Sequence, residues 1–436
     1  MAKFLEICAG IDIGKREISV ALLKGPADAE PGAEIRTFGT TVKDLTDCGE
    51  WLREAGCRTA VLESTGAYWV PVFNVLEAYL AIIVANPAHV KARRGEKTDA
   101  EDSRRLAERL RNGDVRGSFV PPENVARLRD LTRRRKKLLS ASSAERNRVQ
   151  KLLERANVKF GNVVSDVFGV SGQRFLNALL NDPAATPEQI AELARTKLRN
   201  KKAEIAEALR GHRLNDHLRW MIRHSLAHLV FLESQLNEIH EQITATLLPF
   251  QKEFQLLQTI PGVGADTAAI IIAETGGNMA QFPSARHLTS WAGVCPGNNR
   301  SAGRQKSSAI KRGNPWLMAA LVQAGWAAVR SRGIIFKKRF YRLMQHRGRK
   351  KAVVAAARSL LSVIWIILSR KEPYRETVGD YQPYEQSRKI RHHLRKLAQL
   401  GIDISHIEFP PPTPQEMRLP DRHRPSAPGT LGIHAR

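Results

Sequence analysis

The chain has 436 residues, enough to bury more than one apolar core and to form two or three domains. Lys and Arg outnumber Asp and Glu by 69 to 43, and the resulting formal charge of +26 is spread along most of the length, as a nucleic-acid-binding protein requires. Cys8, Cys48, Cys57 and Cys295 form no C-x-x-C pair, which argues against a zinc ribbon or a disulfide framework and for a reducing cytoplasm.

The opening residues lack the apolar core of a secretion signal, and the most apolar late stretch, Val353 to Leu368, is broken by Arg358 and too short to span a membrane. A soluble chain with no membrane contact is expected. Its first β-type runs are Leu5–Ile13, Glu17–Leu23 and Ala33–Thr40, with Gly14-Lys15 tight enough to fold the first two into a hairpin. A helical pattern from Val42 to Ala55, a strand at Thr59–Glu63, a helix at Tyr68–Tyr79 and a strand at Ala81–Ala85 follow. Asn86-Pro87 closes the last strand, and a final helix runs from Thr98 to Arg111, stopped by Asn112-Gly113. This order predicts an α/β domain over residues 1–115, a mixed sheet flanked by helices.

Acidic residues fall where that order brings them together. Asp12 ends the first strand in GIDIGK, Glu63 ends the fourth in VLESTG, and Asp99 and Asp102 share one helix face in KTDAEDSRRL. Glu101, between them, points off that face. Like-charged carboxylates at about 4 Å repel by roughly 4 kcal/mol per pair at an effective dielectric near 20. A divalent cation removes that penalty, and hard oxygen ligands suit Mg²⁺ or Mn²⁺. Taken singly, each acid also fits a turn, a strand end or a first helical turn.

Residues 116–252 read as a helical, coiled-coil region. Pro121-Pro122 starts a helix expected over Glu123–Ala156, whose heptad-like face is interrupted by Arg135, Ser142 and Glu145. A second long helix, about Leu218 to Leu248, has a cleaner seam of Leu229, Leu232, Leu236, Ile239 and Ile243. The two helices can pair within one chain or between chains. Short helices are expected between them, and Arg133 to Lys137 form a cationic run.

Residues 253–370 read as a mainly α domain. The run Pro261-Gly262-Val263-Gly264 before the apolar helix Ala265–Glu274 fits a helix-hairpin-helix, with Gly262 and Gly264 turning backbone N–H groups to a phosphate. The stretch from Gly293 to Asn314, GVCPGNNRSAGRQKSSAIKRGN, has three serines, five Lys or Arg and no acid. Ser301 lies between Arg300 and Arg304, and Lys306, Lys311 and Arg312 follow, so a hydroxyl stands where guanidinium forks would draw a phosphate. After a helix at Trp316–Arg330 comes a cationic stripe from Arg332 to Lys351 with Phe336, Phe340 and Tyr341 interleaved, then a closing helix at Val353–Leu368. Residues 371–436 form a basic, Pro-rich tail.

GIDIGK, VLESTG and KTDAEDSRRLAERLRNG resemble the DEDD motifs of a RuvC-like, ribonuclease H-type domain. Together with the serine-bearing stretch, they make residues 5 to 370 similar to transposases of the insertion-sequence family often called IS-one-ten. The resemblance implies Asp12, Glu63, Asp99 and Asp102 as metal ligands and Ser301 as the nucleophile of a phosphoserine–DNA intermediate. It implies donor and target DNA as substrates, a bridge RNA that selects them, and a coiled-coil arm for dimerisation. It further implies tetramers in the active form, active sites completed between protomers, and a prokaryotic, nucleoid-associated setting. Two other classes fit the same residues: a metal-dependent junction-resolving endonuclease using water, and a non-catalytic nucleic-acid-organising protein.

Overall fold

A computed structural model describes residues 5–26, 29–64, 66–85, 98–115, 117–297, 299–301, 304–307, 309–310, 313–331 and 334–376, with five positions between 393 and 400. The chain divides into two compact units, Met1–Pro122 and Glu123–Arg436.

In the first unit, strands β1 (Ile7–Ile13), β2 (Glu17–Lys24), β3 (Gly32–Gly39), β4 (Thr59–Glu63) and β5 (Ala81–Ala85) form one sheet in the order β3-β2-β1-β4-β5. β1, β2 and β3 are antiparallel, while β4 and β5 run parallel to β1, which is the expected ribonuclease H-like arrangement. The central strands are apolar on both faces because both are covered. Ile11, Val20 and Leu62 pack with helices α1 (Val42–Glu54) and α2 (Trp69–Leu76), whereas Cys8, Leu23 and Val61 pack with α3 (Asp99–Arg111) on the other side. Edge strand β3 is largely exposed.

α3 lies unusually close to the sheet. A Cβ on Gly10 would stand 2.1 Å from the Ser103 carbonyl oxygen and 2.4 Å from the Ala107 nitrogen. Small groups line the rest of the contact: the Ser19 and Ser103 hydroxyls are 3.2 Å apart, and Cys8 Sγ donates to the Ala107 carbonyl at 3.5 Å. Gly10→Ala should therefore destabilise the unit by about 1–3 kcal/mol, the usual cost of overpacking, as read from the urea midpoint. An unchanged midpoint would contradict so close a contact. At the far end of α3, buried Arg111 donates to the carbonyls of Leu5, Glu6, Gly25, Pro26 and Ala29, tying the helix to the strand ends.

The second unit opens with α4 (Glu123–Arg155), followed by α5 (Phe160–Val163), α6 (Val170–Asn181), α7 (Pro187–Glu192), α8 (Lys202–Leu209) and α9 (Asp216–Thr246). The sequence left open whether α4 and α9 pair within one chain or between chains, and the resemblance implied a dimerisation arm, which a single chain does not test. In this chain they pair with each other, antiparallel: Leu128 packs with Ile243 and Leu247 at one end, and Val149 and Leu152 with Leu218 and Ile222 at the other. The short helices between them share the second of these cores, which fixes the hairpin. Glu145, an interruption of the seam, is buried and bound to Arg148, with His228 of α9 at 3.6 Å.

The remaining elements are α10 (Gln251–Gln258), α11 (Ala265–Thr275), α12 (Ala285–Trp291), β6 (Asn299–Ser301), β7 (Arg304–Ser307), α13 (Pro315–Arg330) and α14 (Ile334–Arg370). One core joins Leu128 of α4 to residues as distant as Leu368, so packing is continuous across the boundary expected near residue 252. α14 is broken at Gly348 (φ 75°, ψ 165°) and extends well beyond the helix expected at Val353–Leu368. By length and composition it could cross a membrane, but Ala357, Leu360, Leu361 and Ile364 are buried in the core of the unit.

Candidate active site

The first unit brings the four predicted acids to one end of its sheet. β1 and β4 are parallel, with Ile11 beside Leu62, so Asp12 and Glu63 follow one residue beyond that pair on adjacent strands. Thr98 caps α3 by accepting from the Glu101 amide at 3.3 Å, which starts the helix at Asp99 and places Asp102 one turn later. The close seat of α3 on Gly10 carries those two carboxylates towards the strand ends. Burial pushes the Asp12 carboxyl up to about 6, helped by the charges of Asp99, Asp102 and Glu63 and opposed by a hydrogen bond from the Ile13 backbone. Three acids from two other elements, β4 and α3, thus act on the fourth. Glu101 is exposed, as expected, while Arg105 stands 3.2 Å from Asp102.

Among the described residues, no group of three or more His, Cys, Asp or Glu is drawn close enough to hold a metal ion as it stands. The donor set nevertheless fits a hard divalent cation in two respects. All its ligand atoms are carboxylate oxygens, and the Asp12 carboxyl, raised first by burial, is raised further by the charges of the other three. Ligating one ion would require the carboxylates to move inward.

Ser301 lies in the second unit at the end of β6, where it pairs with Arg304 of β7 in an antiparallel hairpin. Arg300 pairs with Gln305 in the same ladder, and Lys306 lies within β7. Lys311 and Arg312 lie outside the described residues. Towards its base the hairpin is held by Gly297 donating to the Ala309 carbonyl at 2.9 Å and by a bridge between Pro296 and Ile310. The two ends of the excursion touch: a Cβ on Gly313 would be 2.3 Å from the Gly293 nitrogen. Sequence inspection suggested only a loop here, because no alternation of apolar residues marks the strands.

α10, the turn Thr259 to Gly264 and α11 have the helix–turn–helix order of the expected phosphate-binding hairpin. Gly262 (φ 87°) has a packing reason for its identity, since a Cβ there would be 2.4 Å from the Ala328 nitrogen of α13. Gly264 is exposed at the start of α11, which has no side-chain cap. Phe336 and Phe340 of α14 are buried, leaving Tyr341 exposed. Lys337, Arg342, Arg347, Arg349, Lys350 and Lys351 are exposed too, and no carboxylate among the described residues lies within ion-pair distance of them. Between Lys337 and Lys351, α14 therefore carries a run of exposed cations, while its second half is buried in the core. Buried Glu274, which no motif singled out, is the other prominent charge.

Two family models match, in an order that follows the two units. A DEDD transposase model of the IS110 type covers residues 9–158, and the Transposase IS116/IS110/IS902 family model covers residues 254–341. A probable family 20 transposase from Pseudomonas aeruginosa is 25% identical over 324 residues, covering 72% of this chain and 85% of that protein. The transposase for insertion sequence element IS1111A from Coxiella burnetii is 25% identical over 332 residues, 74% of this chain and 80% of its own. A 43.6 kDa protein of insertion element IS110 from Streptomyces coelicolor is 31% identical over 147 residues, 31% of this chain and 35% of its own. A Thermus thermophilus RuvC structure aligns with 26% of this chain and 99% of its own at 12% identity, with a TM-score of 0.21 that adds nothing to the strand order.

Proposed function

Since this chain belongs to the IS110 type of insertion-sequence transposases, we propose that it breaks and rejoins DNA through its acidic cluster and the hydroxyl of Ser301. The gathering of Asp12, Glu63, Asp99 and Asp102 at one end of the sheet is the observation that carries this reading: burial first, then the charges of the other three, raise the Asp12 carboxyl, as in a site suited to a cation. These four would hold Mg²⁺ or Mn²⁺, which supplies Lewis-acid stabilisation of charge on a phosphodiester. Asp12 would have to release the proton that burial lets it keep near pH 6.

Ser301 Oγ would form a bond to phosphorus as it loses its proton, while the bond to one deoxyribose oxygen breaks and that oxygen takes up a proton. One phosphoester replaces another, so an incoming deoxyribose hydroxyl can reverse the exchange and join a new strand without an energy source. Arg300, Arg304, Lys306, Lys311 and Arg312, clustered in sequence about Ser301, would offset the charge of the transition state. The acids and the serine belong to different units, which suits active sites completed between protomers of a dimer or tetramer. The family resemblance supplies a bridge RNA as the guide. The charge of +26 and the exposed cations of α14 support a nucleic-acid partner. A cytoplasmic, nucleoid-associated protein follows from the same reading.

The full chain should be incubated with its element-end DNA, the RNA encoded beside the gene and Mg²⁺, then denatured. DNA should remain attached to protein, and chelation should abolish the attachment. Cut ends with no protein attached would instead identify water as the nucleophile.

A further inference from the structure

We infer that Glu274 is a positioning residue that fixes the root of the serine hairpin to α4 and α11; its catalytic consequence, though not its structural one, rests on Ser301 being the nucleophile. Glu274 is fully buried near the end of α11. Arg133 of α4 meets its carboxylate with a two-pronged fork, Nε to Oε1 and Nη2 to Oε2, both at 2.8 Å. Arg129, one turn earlier, approaches Oε2 at 3.5 Å and donates to the Ala273 and Glu274 carbonyls at 3.0 Å each. The remaining partner is Asn314, whose Nδ2 donates to Oε2 at 2.7 Å.

Asn314 has a second duty. Its Oδ1 accepts from the Trp316 and Leu317 amides at 3.0 Å, capping α13. The residue before it, Gly313, is the one pressed against Gly293, where the hairpin excursion begins. A single carboxylate therefore ties α4, α11 and the cap of α13 at the point where both ends of the excursion meet.

Filling this volume with an apolar side chain would do at least as well for stability, since burying charges costs solvation that pairing only offsets. What the ionic arrangement adds is direction. The fork fixes the carboxylate plane, the carboxylate fixes the Asn314 amide, and that amide sets the angle at which the hairpin leaves the core.

Exchanging the partners tests this. Asn314→Asp keeps a good cap for α13 but loses the Nδ2 donor and opposes a second carboxylate to Glu274. Glu274→Gln keeps the volume and loses the charge. In the double variant the charge of the cluster is restored and the introduced glutamine amide can donate to the introduced aspartate. The contact returns with its polarity reversed, while one prong of the Arg133 fork, to the glutamine oxygen, is kept. Hydrogen exchange should be followed for residues 293–314, with α11 as the internal control, together with DNA affinity and the rate of protein–DNA attachment. We expect Asn314→Asp to speed exchange of the Gly297 amide, which the Ala309 carbonyl holds, by about tenfold or more while α11 is unchanged, reporting local rather than global opening. Attachment should slow by about tenfold with DNA affinity within about twofold, and the double variant should restore both largely, a non-additivity that a merely destabilising change would not produce. Unchanged hairpin exchange in Asn314→Asp, or a double variant no better than that single, overturns the inference. Should Asn314→Asp not fold, Glu274→Gln alone must loosen the hairpin, and protection equal to wild type would be equally fatal. Loosening in a protein whose wild type never attaches DNA supports the clamp and removes only the nucleophile reading.

Discussion

Ser301→Ala should lose protein–DNA attachment altogether and strand joining by about 10⁴-fold or more, because removing a nucleophile leaves no alternative atom for the exchange. DNA affinity should stay within about twofold, since phosphate binding is spread over many cations and one hydroxyl adds little to it. The position makes this a clean test. Ser301 ends β6 and pairs with Arg304 through the backbone, a ladder that losing one side-chain oxygen leaves in place, so the urea midpoint should be unchanged. If the alanine variant cuts DNA at the wild-type rate, the serine hairpin is a clamp and the acidic cluster works with water.

Asp12→Asn should lower strand exchange by about 10³-fold or more and yet stabilise the metal-free protein. The sign follows from the Asp12 carboxyl, raised from 3.8 to about 6 in the folded chain. Between those values the folded state holds a proton that the unfolded state has released, so this group's contribution falls as pH rises through the window from about 4 to about 6. Above it the buried, repelled carboxylate costs about 3 kcal/mol at most, and less in so far as Asp12 is only partly buried. The amide carries no charge and avoids that cost at pH 7. Mg²⁺ at about a hundred times its dissociation constant should stabilise the wild type by roughly 2.7 kcal/mol and the variant by much less. Thermal unfolding at pH 5 and pH 7.5, with and without Mg²⁺, reads all three effects. A variant no more stable than wild type without metal at pH 7.5 would mean that Asp12 is a turn or strand-end acid.

Much of the first unit was legible because its punctuation is strong. Thr59–Glu63 and Ala81–Ala85 form the strands expected, and Thr98 marks the start of α3 as an N-cap should. Chain order put Asp12 and Glu63 each at a strand end, and the parallel pairing of β1 with β4 in the structure makes those ends neighbours. Gly10 was silent: a glycine inside a strand says that something approaches closely but not what, and the approaching atoms lie more than ninety residues away in α3. Heptad spacing in α4 and α9 specified an apolar seam but not whose helix fills it. The β6–β7 hairpin could not be read because its strands, Asn299–Ser301 and Arg304–Ser307, are polar throughout and show no apolar alternation. Glu274 looked like an ordinary acid near a helix end, since its partners Arg129, Arg133 and Asn314 meet it only through tertiary packing. Gly262, expected to serve a phosphate, has a sufficient reason in its contact with α13.

The most direct test digests the denatured wild-type complex with protease and nuclease and locates the residual nucleotide by mass spectrometry. The account predicts a phosphonucleotide on the peptide containing Ser301, formed with Mg²⁺ and absent when Asp12 is replaced by asparagine. A nucleotide on any other side chain, or attachment to Ser301 that persists at full yield without the Asp12 carboxylate or a divalent cation, would contradict it.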